Sequence, residues 1–208
     1  MGQIIQFPAQ ASKFGYKRVK NRARCADDPN QLRLAFQSTA EILNFESGLS
    51  SFEQALMLDE REDTRAAELY LQAINEGDCV ADSYCNLGII QSKEGNTGHA
   101  FASFTAALKQ NPCHFEAHFN LGNLYFDVDD FRLAQVHYRI AVEIDPSSPN
   151  VYFNLALVEA INSNLKDAVM ALATYRQLVS AEEGRNAEKL LENLVRSLAV
   201  GKGLRPGA

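Results

Sequence analysis

Residues 115–146 read FEAHFNLGNLYFDVDDFRLAQVHYRIAVEIDP, and this stretch decides the fold because its pattern recurs along the chain. The triplet Asn120-Leu121-Gly122 returns 34 residues earlier as Asn86-Leu87-Gly88 and 34 residues later as Asn154-Leu155-Ala156. Further columns keep the same step: Ala66, Ala100, Ala134 and Ala168; Tyr70, Phe104, Tyr138 and Leu172; Ala73, Ala107 and Ala141; Pro112 and Pro146. Self-similarity at a fixed period of this length is the signature of a repeat architecture.

Each column has a reason in packing. Small residues such as Gly88 and Ala100 let the two antiparallel helices of a hairpin approach closely. The aromatic column is expected to fill the space between one hairpin and the next. The prolines end the second helix of a repeat, because proline cannot donate the helical hydrogen bond. The columns therefore predict an all-α stack of helix hairpins.

Two repeats resemble the tetratricopeptide family closely. The residues that carry the resemblance are Tyr84, Leu87, Gly88, Ala100, Phe104, Ala107 and Pro112 in one repeat, and Leu121, Gly122, Tyr125, Ala134, Tyr138, Ala141 and Pro146 in the next. The resemblance implies a right-handed α-solenoid and a non-catalytic scaffold or adaptor that binds other proteins. It also implies that the first helix of each hairpin lines a concave groove.

We expect the chain to divide into a basic, disordered arm (1–27), a pre-repeat segment (28–46), a degenerate repeat (47–80), three repeats (81–114, 115–148 and 149–180), a capping helix (181–200) and a disordered tail (201–208). Residues 30–43 fit either a helix or a strand, and Asp28-Pro29 favours a helix because Asp suits an N-cap and Pro the first turn. Ser180 and Glu183 predict a capping box at the start of the last helix. A terminal helix is needed because a stack of repeats leaves an apolar face open at its end.

Composition indicates an ordinary globular protein, with 46% hydrophobic and 22% charged residues among 208. The apolar runs are too short to cross a bilayer, and MGQIIQFPAQ lacks the features of a secretory signal. We therefore expect a cytoplasmic protein. The four cysteines are expected to be reduced thiols, because their spacing fits neither a zinc site nor a disulfide framework. They are Cys25, Cys79, Cys85 and Cys113.

Charge is distributed unevenly along the chain. Residues 1–25 carry +6 and no acidic residue, and residues 26–208 therefore carry −12 of the total of −6. The basic side chains of the arm are Lys13, Lys17, Arg18, Lys20, Arg22 and Arg24. Three interpretations stay open: a disordered solubilising tail, docking on a protein or on the acidic repeats, and weak binding of nucleic acid through cations and aromatic rings.

The family geometry assigns a set of first-helix positions to the groove. The predicted partner-binding residues are Asn86, Ile89, Lys93, Glu116, Phe119, Asn120, Asn123, Phe126, Asp127, Phe153, Asn154 and Leu157. Among them Asn86, Asn120 and Asn154 form an asparagine ladder, one per repeat, and a carboxamide can pair with any peptide backbone. Phe119, Phe126 and Phe153 are expected to be exposed anchors for an apolar ligand, although groove curvature or the capping helix could also bury them.

Few basic residues occupy these positions. A peptide recognised through its C-terminal carboxylate is therefore disfavoured as the ligand. A partner segment with apolar anchors and some basic residues fits better. No catalytic motif or cofactor-binding loop is present, so we expect no enzyme activity and no cofactor. Cys113, His114 and His118 could suggest a metal site, but the register assigns the first two to a turn and the third to packing. The functional hypotheses are a peptide-binding module, a nucleic-acid-associated factor and a self-associating scaffold.

Overall fold

The computed structural model describes residues 14–20 and 48–201. The predictions that concern residues 1–13, 21–47 and 202–208 lie outside the described residues. They include most of the basic arm, Cys25, the helix or strand at 30–43 and the tail.

The described residues form helices and no strands, which confirms the predicted all-α class. Their nine helices are α1 (Ser51–Glu60), α2 (Ala66–Glu76), α3 (Val80–Lys93), α4 (Thr97–Gln110), α5 (Phe115–Asp127), α6 (Phe131–Ile144), α7 (Pro149–Ile161), α8 (Leu165–Leu178) and α9 (Ala181–Gly201). None of these described helices combines the length and the apolar character that crossing a bilayer requires.

The chain divides into two compact units, which we name by their helices. The α1–α4 unit holds the described residues of Arg18–His114, and the α5–α9 unit holds those of Met1–Lys17 and Phe115–Ala208. Within each unit every helix packs against its neighbours in the chain, as consecutive hairpins do. The core of one unit centres on Phe52 and Tyr70, and that of the other on Phe119, Tyr138 and Leu172.

The glycine column makes room for the aromatic column. A Cβ atom built on Gly88 would lie 2.8 Å from Cε1 of Phe104, and one on Gly122 would lie 2.5 Å from Cε1 of Tyr138. Both rings belong to the second helix of the same hairpin as the glycine. The rings were expected to fill the space between hairpins, and the structure adds this contact inside the hairpin.

The last helix begins as predicted. The Ser180 hydroxyl accepts from the Glu183 backbone N–H at 3.3 Å, and the Glu183 carboxylate accepts from the Ser180 N–H at 3.3 Å, which completes the capping box. Helix α9 packs against α8 and buries Ala187 and Leu190. It therefore covers the apolar side of α8.

Candidate functional site

In the α5–α9 unit, two asparagines of the ladder hold the backbone of the chain's own segment Phe14–Lys17. Asn154 accepts from the Phe14 N–H at 2.7 Å and donates to the Phe14 carbonyl at 3.0 Å. Asn120 accepts from the Lys17 N–H at 2.7 Å and donates to the Lys17 carbonyl at 2.9 Å. Both carboxamides are fully buried.

In the α1–α4 unit, the third asparagine makes the same pair of bonds. Asn86 accepts from the Val19 N–H at 2.9 Å and donates to the Val19 carbonyl at 3.0 Å. Val19 is 3% exposed, the lowest value among residues 14–20. We call residues 14–20 the docked segment.

The ladder pairs with the backbone of the docked segment, as a neighbouring β-strand would. Each carboxamide satisfies both backbone groups of one residue, so the bonds do not depend on that residue's side chain. The docked segment is not helical, and three such residues span at most about 10 Å. Three residues can therefore reach from one helix to the next, because the axes of packed helices lie about 8–10 Å apart. In the α5–α9 unit the segment passes from Asn154 on α7 to Asn120 on α5, opposite to the order of the repeats.

Buried tyrosines of the aromatic column bond to Asn86 directly and to Asn154 through Asn123. The Tyr70 hydroxyl accepts from Nδ2 of Asn86 at 3.2 Å. The Tyr138 hydroxyl donates to Oδ1 of Asn123 at 2.6 Å, and that same oxygen accepts from Asn154 at 2.9 Å. Burial is the main cause that raises the pKa of both tyrosines, so both hydroxyls keep their protons and can donate.

Side chains of Phe14–Lys17 also contact the α5–α9 unit. The Phe14 ring lies edge-on to Phe153 with a centroid distance of 5.2 Å and 6.0 Å from the Tyr175 ring. The Tyr16 hydroxyl donates to Asp127 at 2.9 Å. The Lys17 ammonium lies 4.2 Å from the centroid of the Phe115 ring, a cation–π contact.

Arg18 and Lys20 meet acidic residues at the end of α1 in the α1–α4 unit. Nη2 of Arg18 donates to Oδ1 of Asp59 at 2.6 Å, and its Nε lies 2.6 Å from Oδ2. Lys20 and Glu60 form a longer, exposed pair at 3.4 Å. Burial raises the pKa of Asp59, and the Arg18 charge acts against that rise.

The structure brings five of the twelve predicted partner-binding residues to the docked segment: Asn86, Asn120, Asn154, Phe153 and Asp127. Of the others, Lys93 is exposed, Phe126 is half-buried against Phe131, and the rest are buried within the described helices: Ile89, Glu116, Phe119, Asn123 and Leu157.

The expectation of exposed phenylalanines is corrected by the structure. Phe119 is buried because Phe115 and Tyr138 lie against it, at centroid distances of 6.1 and 6.0 Å. Phe153 is buried beneath Phe14 and Tyr175. An anchoring position is therefore found at Phe153, where an aromatic ring of the docked segment already lies.

Three residues that contact the docked segment were not among the predicted site residues: Asp59, Phe115 and Tyr175. Asp59 lies in the degenerate first repeat, whose register is the least regular. It comes after the apolar residues of α1 and is one of several acidic residues there. Tyr175 replaces an expected alanine of the repeat, and that departure was the available signal for it.

The histidines and cysteines take part in packing and turns. Nε2 of His114 lies 2.7 Å from Oδ1 of Asp82, and Nδ1 of His118 lies 3.0 Å from Nδ1 of His137. Within residues 14–20 and 48–201, no three His, Cys, Asp or Glu side chains are grouped as metal ligands. The cysteines in those ranges are free thiols.

The histidine pair predicts a pH dependence of stability. Burial, with a smaller contribution from His118, lowers the pKa of His137 from 6.5 to about 4. Between these values the unfolded chain takes up a proton that the folded chain excludes, so stability falls as pH drops from 6.5 towards 4. We expect the free energy of unfolding to fall by about 1–2 kcal/mol over this pH range, after allowance for the partial exposure of the ring. Urea unfolding across the range measures this change.

The control is His137→Gln, which cannot titrate. The wild-type curve minus the variant curve isolates this histidine from the carboxylates that titrate nearby in pH. Parallel curves for the two proteins would contradict the prediction.

Comparison with known proteins agrees with the repeat geometry. A family model described as tetratricopeptide repeat matches residues 119–183, and another with the same description matches residues 81–112. Both stretches therefore match tetratricopeptide repeats. Human tetratricopeptide repeat protein 6 is 30% identical to this chain over 82 residues. That alignment covers 39% of this chain and 16% of the relative, so the chain spans less than a fifth of the relative's length.

Two solved structures share the fold of this chain. MamA from Desulfovibrio magneticus superposes with a TM-score of 0.61 at 18% identity, covering 74% of this chain and 84% of that one. The first tetratricopeptide domain of Spaghetti (RPAP3), bound to an HSP90 peptide, gives a TM-score of 0.53 at 19% identity. It covers 57% of this chain and 93% of that domain.

Proposed function

We propose that this chain is a non-catalytic protein-interaction module whose first-helix faces bind a non-helical segment of a partner protein. The observation that carries the proposal is the asparagine ladder, in which Asn86, Asn120 and Asn154 each pair with both backbone groups of one residue. Because these bonds ignore side-chain identity, a foreign segment can form them as well as the chain's own.

The similar fold of Spaghetti, which binds an HSP90 peptide, supports peptide binding as a use of this architecture. That peptide, SRMEEVD, carries three acidic residues and one arginine, whereas the docked segment FGYKRVK is basic. The acidic residues that contact the docked segment are Asp59, Glu60 and Asp127. They favour a partner segment with basic side chains and an aromatic anchor.

On this proposal the docked segment occupies the ligand's place and competes with it. A tethered segment acts at an effective concentration of about 1 mM, so a partner must bind tightly or act where the segment is released. A second copy of the chain could supply the same segment, and this route would produce dimers. Nucleic-acid binding is less favoured, because Tyr16, Lys17 and Arg18 already contact the repeats.

The test uses the full chain with Val19→Pro. This substitution removes the N–H that donates to Asn86 and so weakens the docking of the tethered segment. The probe is a fluorescein-labelled peptide of residues 12–22, SKFGYKRVKNR, followed by anisotropy. We expect measurable binding to the variant and weaker binding to the wild type. Adding Asn86→Ala should weaken binding by about 10- to 30-fold, since two hydrogen bonds of about 1 kcal/mol each to the peptide backbone are lost.

The matched control is Asn96→Ala, because Asn96 is exposed and its side chain donates to Glu94, outside the ladder. It should leave the affinity unchanged. Equal affinity of the Asn86→Ala and Asn96→Ala proteins would refute the ladder as the binding element. Light scattering of the wild type distinguishes an intramolecular segment from one exchanged between copies.

A further inference from the structure

Arg18 meets a buried hydrogen-bond network, unlike the other basic residues of the docked segment. The carboxylate of Asp59 faces the Arg18 guanidinium with both of its oxygens, at 2.6 Å each. It also accepts from the Tyr70 hydroxyl at 3.2 Å. Asp59 is 5% exposed, so nearly all of its surface is removed from water.

A buried carboxylate needs a well-placed cation. Removing a charge from water is unfavourable unless a partner charge and hydrogen bonds compensate for the lost hydration. The charged groups that act on Asp59 are Arg18 and Lys93, which favour its ionised form, and Glu60, which opposes it. Among the described residues, Arg18 is the one of these three charged groups that contacts the Asp59 oxygens.

The docked segment offers an internal comparison among three cations. Lys17 lies over a ring, and Lys20 makes an exposed pair whose side chains are 68% and 55% exposed. Only the arginine meets the buried carboxylate. A guanidinium presents two parallel donors that match a carboxylate, whereas an ammonium is a single, strongly hydrated point charge.

The network also joins the recognition of a side chain to the recognition of the backbone. Tyr70 donates to Asp59 and accepts from Asn86, and Asn86 holds the backbone of Val19, the residue after Arg18. Val19 is itself buried. A ligand therefore has to place an arginine and a following small apolar residue in consecutive positions.

We propose that Asp59, Tyr70 and Asn86 form an arginine-selective pocket, and that the partner segment carries an arginine followed by a small apolar residue such as valine. This inference rests on the proposed function, since it names the chemistry of the segment bound there. It adds a specificity determinant to contacts that are otherwise independent of sequence.

The first test compares three peptides of the sequence SKFGYKRVKNR on the full chain with Val19→Pro. One peptide keeps the arginine at the position of Arg18, one has lysine there, and one has citrulline, which keeps the shape without the charge. We expect lysine to weaken binding about tenfold and citrulline about 100-fold. Alanine at the position of Lys20 is the control and should change affinity less than about threefold.

Asp59→Asn provides the second arm, because asparagine keeps an acceptor for Tyr70 but loses the charge. On the Val19→Pro chain that also carries Asp59→Asn, the three peptides should bind within about threefold of one another. Thermal unfolding of each protein checks that the α1–α4 unit remains folded. Equal affinities on the Asp59 protein, or undiminished discrimination on the Asp59→Asn protein, would overturn the pocket.

A separate readout in the otherwise wild-type chain separates this inference from the proposed function. Arg18→Lys should accelerate hydrogen exchange of the Val19 amide about tenfold, and Lys20→Arg should leave it unchanged. If no peptide binds in trans, the proposed function fails, while faster exchange in Arg18→Lys still supports an arginine-selective pocket. Unchanged exchange in Arg18→Lys counts against the pocket whatever the peptides do.

Discussion

Substituting Gly122 by alanine is expected to lower the free energy of unfolding by about 2–4 kcal/mol. The added Cβ would lie 2.5 Å from Cε1 and 2.6 Å from Cδ1 of Tyr138, closer than real contacts allow. The ring has little freedom to move, because it is fully buried and its hydroxyl is bonded to Asn123 at 2.6 Å. The loss should outweigh the gain in helix propensity, which is about 1 kcal/mol.

Gly98→Ala is the matched control, since Gly98 lies in α4 and a Cβ there would meet nothing within 4 Å. It should stabilise the chain by about 0.5–1 kcal/mol. Gly88→Ala should fall between the two, because its Cβ would lie 2.8 Å from Phe104, a ring without a hydroxyl to hold it. Urea unfolding followed by circular dichroism measures all three. A Gly122→Ala protein as stable as Gly98→Ala would show that Tyr138 can shift.

The repeat fold was predictable because its determinants recur at one spacing. The steps that align Gly88 with Gly122, and Phe104 with Tyr138, correspond in the structure to a glycine facing an aromatic ring within a hairpin. The predicted capping box at Ser180 formed for a similar reason, since its two residues are three apart in the chain. Local spacing and periodicity specify such features directly.

In the contacts of the candidate site, the residue on the repeats was predictable and the residue that it binds was not. The ladder position of Asn120 follows from the repeat, but its occupant does not, because a carboxamide that pairs with backbone leaves no sequence signal in its ligand. Lys17 lies 103 residues away from Asn120 along the chain. Docking of the arm on the repeats was one of three open interpretations, and charge alone could not select it.

The burial of Phe119 and Phe153 shows a second limit. Helical periodicity gave the direction of both side chains from their own helix, but burial depends on what other elements bring to that face. Phe115 and Tyr138 cover one of them, and Phe14 and Tyr175 cover the other. Burial by a segment that is distant in sequence cannot be read from helix spacing.

Replacing Phe14 by alanine is expected to release the start of the docked segment. The Phe14 ring packs against Phe153 and Tyr175. Loss of this large aromatic contact should cost about 2–3 kcal/mol, which corresponds to an increase of about 30- to 150-fold in the open population. The bonds to Asn154 involve backbone and remain available, so the effect reports the ring. Hydrogen exchange of the Phe14 and Lys17 amides, both of which donate to ladder asparagines, measures the opening.

Tyr16→Phe separates the loss of an anchor from a general loosening of the segment. It keeps the aromatic ring and removes only the exposed hydrogen bond to Asp127, so exchange should rise less than about threefold. An intermediate variant, Phe14→Leu, should recover most of the protection, because an aliphatic side chain restores apolar contact with Phe153 without the edge-on ring geometry. If Phe14→Ala exchanged as slowly as the wild type, the ladder alone would hold the segment, and an aromatic anchor would have to be removed from the chemistry proposed for the partner.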